Sequence, residues 1–329
     1  MDRRALILVG AVLLLGLAVS AVTGAWRAWL AASVLAVSLP AGAIGWSLVM
    51  RLAVGTWTGP IAEACAAMAG RAPVAAATFL PVLVAQFSIY PWAGAHQETT
   101  FRAVYFNSLL FDARAILWLG TLSLAGLAIA RGREIPKAAA CIGVIAFFVF
   151  QTMFVTDALA SLDRTFNASG FGLYVIAIQF GAALAMAILA GQPEETHRAG
   201  ALLVAMMLMW AYFAFMQYFI LWSGNLPGGM NWFHARSEGI WPDLMCLIAA
   251  CRLPLLCLLI FKPVRHSRRW MTSLAAVVLA GDVLEFAWIG LPGSGYGPFQ
   301  GALYAVAAIA ALALAWPRRR AIPDKRGAA

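Results

Sequence analysis

The chain has 329 residues, 63% of them hydrophobic and 11% charged, with a formal net charge of +9. Apolar runs close to twenty residues long recur along it, which excludes an ordinary soluble domain and describes a polytopic membrane protein. The basic excess calls for no nucleic-acid partner, because it gathers at alternate ends of the apolar runs.

In chain order, the runs predict ten transmembrane spans, at 6–22, 29–50, 74–92, 107–128, 138–160, 170–189, 200–222, 241–261, 270–289 and 299–316. All are read as helices, giving an all-α membrane protein: backbone in lipid must satisfy its own hydrogen bonds, and the runs lack the alternation of a barrel. The first span follows Arg3 and Arg4 and ends among small residues, so it reads as a retained signal anchor; cleavage would leave nine spans. The segment 56–73 is expected to lie on the inner membrane surface as a short helix started at Pro60 and flanked by Glu63 and Arg71. With the N-terminus inside, seventeen of the twenty-three Lys and Arg residues fall in inner segments, against four outside: Arg27, Arg102, Arg164 and Arg236. That bias predicts both termini in the cytoplasm, with 318–329 a short basic tail.

Between the seventh and eighth spans, the aromatic run from Trp210 breaks at Ser223 and Gly224 into an outer loop, ringed by Tyr218, Trp222, Trp232 and Trp241. Such amphipathic rings collect at the membrane boundary. The spans also hint at a duplication. The third and seventh end in aromatic belts before loops carrying His96 with Arg102 and His234 with Arg236; the fourth and eighth return with Asp112 and Arg114, and with Asp243 and Arg252. The fifth and ninth then carry Asp157, and Asp282 with Glu285. A four-span offset keeps direction, so a single membrane domain is expected to contain two parallel-related four-helix bundles, spans 2–5 and 6–9, in sub-bundles 27–167 and 168–296, with peripheral helices beside them.

Chemistry is sparse. There is no C-x-x-C, C-x-x-C-H, G-x-G-x-x-G or P-loop, so no iron-sulfur cluster, covalent haem or nucleotide has an evident seat. Cys246, Cys251 and Cys257 do not stack on one helix face and are read as packing residues. His197 and His266 are read as solvated in inner loops, and no span holds a histidine to grip a haem. The strongest functional signal is the set of ionisable groups inside spans, because each costs roughly 3 kcal/mol in hydrocarbon and must face protein or water. Asp112, Asp157, Asp243, Asp282 and Glu285 all fall in the outer halves of their spans, whereas the inner halves offer only neutral groups such as Thr78, Ser123 and Thr272. This asymmetry suggests a polar cavity open to the outside, with Asp282, Glu285, Arg252, Asp112 and Asp157 as candidate proton or cavity residues. Trp232, His234, Arg236 and Asp243 form a candidate quinone or partner face. Arg252 lies ~16 Å along its helix from Trp241, near the middle of the layer, and cannot stay unpaired. Asp282 and Glu285 share one face of the next helix; Asp282 is expected to be the direct partner and Glu285 to lie between it and the cavity. Pro254 is expected to bend the helix of Arg252.

The run Q-Y-x-I-x-W-S-G-N-L-P at Gln217 to Pro227, the spacing of Trp232 and Arg236, D-x-L-x-S-L-D at Asp157 to Asp163 and Tyr90-Pro91-Trp92 together resemble a known family. It is the NrfD-like second membrane subunit of bacterial alternative complex III, a quinol:cytochrome c oxidoreductase related to polysulfide-reductase-type anchors. The likeness covers 45–296. The chain departs from the family pattern at Gly228 and Gly229, where acids usually follow N-L-P, and after Asp163, where Arg-Thr-Phe replaces Pro-His-Trp. The resemblance implies two four-helix bundles and placement in the bacterial cytoplasmic membrane. It also implies an NrfD-like paralogue, the better binder of quinone or quinol in the same complex, with iron-sulfur and multihaem cytochrome c subunits as further partners, and a structural or proton-conducting role for this chain; quinol bound here would find its base and head-group partners among the outer acids and aromatics. A secondary transporter and a purely structural anchor for periplasmic redox partners are the alternatives.

Overall fold

The computed structural model describes residues 3–53, 55, 58–94, 100–166, 168–191, 196–293 and 297–317. His96 and the basic tail 318–329 lie outside them, as does the side chain of Arg102. The described residues form helices and no strands. In order these are α1 (Arg3–Thr23), α2 (Trp26–Leu52), α3 (Thr58–Ala69), α4 (Ala72–Val84), α5 (Gln86–Ile89), α6 (Thr100–Tyr105), α7 (Ser108–Ala130) and α8 (Lys137–Ala158). They continue as α9 (Phe171–Gly191), α10 (Thr196–Ser223), α11 (Pro227–His234), α12 (Trp241–Ile260), α13 (Lys262–His266), α14 (Arg268–Gly290) and α15 (Pro298–Ala315). Eight are long and apolar enough to cross a membrane, or nine if the pair α3–α4 is one bent span. Pro254 lies within α12 without ending it.

Two helices form the centre. The apolar stretch of α2 is 100% buried and that of α9 83%, whereas in α7, α8, α10 and α12 only 22% to 28% is buried. α2 packs on α9, α4, α8, α14 and α15, and α9 also meets α8, α10 and α14. Their small residues allow this, since a Cβ on Gly42 would lie 2.1 Å from the carbonyl oxygen of Gln179 and one on Gly45 2.4 Å from the Phe180 ring. Indole donors fasten the core to backbone: Trp46 Nε1 donates to the Phe180 carbonyl at 2.9 Å and Trp29 Nε1 to that of Thr78 at 3.0 Å. The outer helices turn Leu117, Leu124, Ile142, Ile145 and Phe215 outward, all exposed. Apolar surface outside as well as inside is what a lipid solvent requires.

Three expectations are corrected. The segment around 58–69 is no surface helix: Ile61, Ala64, Cys65, Met68 and Ala69 of α3 are buried, and α3 packs on α2, α7 and α9. Its alanines serve close approach, since a Cβ on Gly126 of α7 would meet the Ala69 carbonyl oxygen at 2.2 Å. α3 runs on into α4 across a 43° bend, so the third apolar unit begins well before the expected residue 74. Cys246 and Cys257, expected to pack inside, are exposed on α12.

Gly42→Ala should lower stability by about 1–3 kcal/mol, because two backbones must separate to admit the methyl group. Gly120→Ala, where nothing lies within 4 Å of the added carbon, should melt as wild type does. Thermal denaturation of the purified protein compares them, and equal melting of all three would refute the α2–α9 contact.

Candidate functional site

The deepest ionic cluster joins four helices. Arg252 on α12 donates through Nη2 to Asp282 Oδ1 and through Nη1 to Glu285 Oε2, both on α14. Tyr174 on α9 donates its hydroxyl to Glu285 Oε1, and Trp210 Nε1 on α10 reaches the two carboxylate oxygens of Glu285 at 2.7 and 3.0 Å. The guanidinium carbon lies 4.5 Å from the centroid of the Trp210 ring, a cation–π contact. Arg252, Asp282 and Glu285 are 1%, 2% and 0% exposed, so bulk solvent does not reach these charges. Gly281 makes the room: a Cβ there would lie 2.8 Å from Arg252 Nε. Arg252 Nε and Asp282 Oδ2 are buried without hydrogen-bond partners. Sequence spacing brings Arg252 to the two acids as expected, but Glu285 does not stand between Asp282 and a cavity. It is wholly enclosed and carries more hydrogen bonds than Asp282 does.

A second cluster lies nearer the end of the bundle where α11 sits. Arg114 on α7 donates Nε to Asp157 Oδ2 on α8 at 2.8 Å and Nη2 to the Tyr105 carbonyl at 3.1 Å. Its guanidinium sits 4.2 Å from the Tyr105 ring centroid. The Tyr105 hydroxyl hydrogen-bonds Asp157; burial pushes it up to about 12, Asp157 raises it further and Arg114 opposes. Asp112 is separate, half-buried with Gln86 Nε2 at 3.3 Å from each carboxylate oxygen. Beside Arg114 and Asp157 opens a cleft of about 250 Å³ between α4, α7 and α8, walled by Phe79, Phe111, Ala115, Trp118, Phe150 and Phe154 among others. Exposed Leu117 and Phe150 stand at its rim, so it opens sideways, toward where lipid would be. From Trp118 a line of neutral polar groups runs inward: its Nε1 donates to Gln151 Oε1 at 2.6 Å, Gln151 Nε2 to Gln179 Oε1 at 3.1 Å, and Gln179 Nε2 to Ser38 Oγ at 3.1 Å.

The expected quinone or partner face divides. Trp232 and Arg236 are interior, at 1% and 7% exposure. Arg236 donates Nε to the Trp288 carbonyl at 3.0 Å, Nη2 to that of Ile289 at 2.6 Å and Nη1 to that of Trp232 at 2.7 Å. Two of these carbonyls belong to the last turn of α14, whose orphan acceptors the guanidinium caps. Its ring neighbour Trp232 lies 3.4 Å away and stacks in turn on Phe166 at 4.7 Å. Burial lowers the proton affinity of Arg236, Arg27 lowers it further, and Tyr174 and Asp163 oppose. These are structural duties. His234 and Asp243 stay exposed on the surface. The segment itself is helical over Pro227–His234, forming α11 where an outer loop was expected. At the opposite end, His197 and His266, expected to be merely solvated, stack with ring centroids 4.9 Å apart.

Sequence reasoning missed Tyr174, Trp210, Gly281, Gln151 and Gln179. The glutamines carried a signal, being lone amides within apolar spans; Tyr174 and Trp210 looked like any belt or core aromatic. Among the described residues no three His, Cys, Asp or Glu side chains converge to hold a metal ion. Compared with known proteins, the chain matches no family model and no curated sequence.

Because Arg252 is bonded to both acids, removing it together with Asp282 alone is not enough to restore balance. Arg252→Leu alone should cost about 3–5 kcal/mol, because Glu285 loses its cation and must take up a proton to stay buried. Adding Asp282→Leu still strands Glu285, so recovery should come with the triple variant that also carries Glu285→Gln. The yield of monodisperse protein reads this out; a triple variant no better than the single would show that the three groups are not coupled.

Proposed function

We propose that the chain is a membrane subunit of a quinol-oxidising respiratory complex of the alternative complex III type, and that quinol enters the cleft between α4, α7 and α8. The cleft carries this reading. It opens sideways, its walls are aromatic, and it ends at an acid already paired with an arginine and a tyrosine. A quinol has the same division, an apolar tail and a head group with two hydroxyls. Asp157 would accept a head-group proton, Arg114 would hold the resulting carboxyl and head group in place, and the aromatic walls would exclude water. Oxidation releases two electrons with two protons; Asp157 would take the protons one after the other, giving up the first before the second leaves, and the electrons leave to iron-sulfur or haem centres on partner subunits.

The topology proposed with this reading has ten spans, α1 and the bent α3–α4 unit included, and both termini in the bacterial cytoplasm. It groups α2, α3–α4, α7 and α8 into one four-helix bundle and α9, α10, α12 and α14 into another. Matching positions support the grouping: an arginine on the third member faces an acid on the fourth in each, Arg114 with Asp157 and Arg252 with Asp282.

Two measurements test these statements. In a cysteine-free background, Ser237→Cys should react with an impermeant maleimide added outside intact cells and Arg133→Cys only after lysis; the reverse pattern would overturn the orientation. Ala115→Trp and Ala146→Phe should fill the cleft and lower photolabelling by an azidoquinone by about tenfold or more, an effect of about 1.4 kcal/mol. Undiminished labelling in assembled variants would remove the cleft as the quinol site.

A further inference from the structure

Charge counting in the Arg252 cluster leads to a result independent of the quinol reading. One guanidinium faces two carboxyl groups, and all three are at least 98% withdrawn from solvent, with exposures of 1%, 2% and 0%. The charged and titratable groups from the neighbouring elements are few. α9 contributes Tyr174, a donor to Glu285, and α15 contributes Tyr304, whose hydroxyl donates to the Val283 carbonyl beside Asp282. α10 contributes Trp210, which carries no charge, and α2 has no ionisable residue between Arg27 and Arg51. Arg236 is the next cation, beyond Tyr174, and its guanidinium is spent on the carbonyls of Trp232, Trp288 and Ile289, so it pairs with neither acid. If both acids were ionised, the three paired groups would hold a net negative charge in an apolar interior.

The hydrogen bonds decide which acid gives way. Glu285 receives donors from Arg252, Tyr174 and Trp210, so each of its two oxygens has two donor contacts. Asp282 receives one, from Arg252 to Oδ1, and its Oδ2 is buried without a partner. An unpartnered oxygen costs far more when it bears charge than when it belongs to a neutral carboxyl group. We infer that the cluster is a one-proton binding site, in which Glu285 is the anion that balances Arg252 and Asp282 carries the proton on Oδ2.

The proton belongs to the charge balance of all three groups, and this has an unusual corollary. Neutralising Glu285 should not leave Asp282 protonated; it should make Asp282 the sole counter-ion of Arg252, and ionise it. Removing the arginine should have the opposite effect and protonate both acids.

Infrared spectroscopy of the purified full-length protein in lipid nanodiscs tests this, because a protonated carboxyl has a carbonyl stretch above the amide band that shifts in deuterium oxide. In difference spectra against wild type, where Asp112 and Asp157 cancel, Asp282→Asn and Glu285→Gln should each lose one such band, and Arg252→Gln should gain one. No loss in either acid variant would mean that both acids are ionised and would overturn the site. Loss in Asp282→Asn but retention in Glu285→Gln would also overturn it, by tying the proton to the burial of Asp282 alone. The amide band and the melting temperature certify folding. If Arg252→Gln does not assemble, the two near-isosteric acid variants decide the question by themselves.

Discussion

Apolar side chains gain nothing by leaving lipid for the inside of a protein, so the helices of this chain are held where backbone can approach backbone and where polar side chains find one another. The centre obeys this constraint. α2 and α9 meet through Gly42 and the Gln179 carbonyl, then through Trp46 donating to the Phe180 carbonyl. Around them, nearly every helix is fastened by a polar contact. Tyr90 donates to the Ala158 carbonyl, Arg51 to that of Ile135 and Tyr304 to that of Val283, while Gln151 ties α8 to α7 and α9. These bonds satisfy buried donors and set rotation as well as position, which dispersion packing alone sets weakly.

The two ionic clusters show what the same ingredients do under different access. Arg114 and Asp157 are one cation and one anion, with the Arg114 side chain 23% exposed beside a cleft. A pair so balanced and so placed can trade a hydrogen bond with a visiting molecule without stranding a charge. Arg252 has two acids, no access to solvent and aromatic donors on two sides. Visitors are excluded there, and what can change is the position of a proton. Burial therefore sets the two clusters apart, one beside an open cleft and the other closed to solvent.

How much of this was legible in the sequence follows from the kind of signal each feature leaves. Span positions were readable because lipid demands long apolar runs, and α7, α8, α9, α12 and α14 fall within a few residues of expectation. Arg252, Asp282 and Glu285 were readable because charge is rare in such runs. The rest depends on facing. Nothing in composition distinguishes Trp210, which donates to a carboxylate, from Trp222 twelve residues on, which is 60% exposed. α3 was misplaced because alanine reads as bland on a surface and as indispensable in a tight contact. Arg236 was mistaken for a surface cation because its partners are backbone carbonyls of α14, which no residue pattern announces.

That last point changes what the α11 segment does. Arg236 grips the carbonyls of Trp288 and Ile289 on one side and of Trp232 on the other, so α11 and the end of α14 are one unit. Glu285 lies one turn below Trp288 and Ile289 on the same helix. A second connection runs through rings, from Trp232 to Phe171 at 6.3 Å and from Phe171 to Tyr174, also at 6.3 Å, and Tyr174 donates to Glu285. His234 and Asp243 are exposed, whereas the segment between them is fixed through Arg236 to the backbone above Glu285. Because Glu285 is the better-supplied acid, any movement that costs it Tyr174 narrows the difference between the two carboxyl groups. Of the surface that sequence offered as a ligand face, Trp232 and Arg236 instead belong to the packing around Glu285, joined to it by a guanidinium fork and a row of aromatic rings.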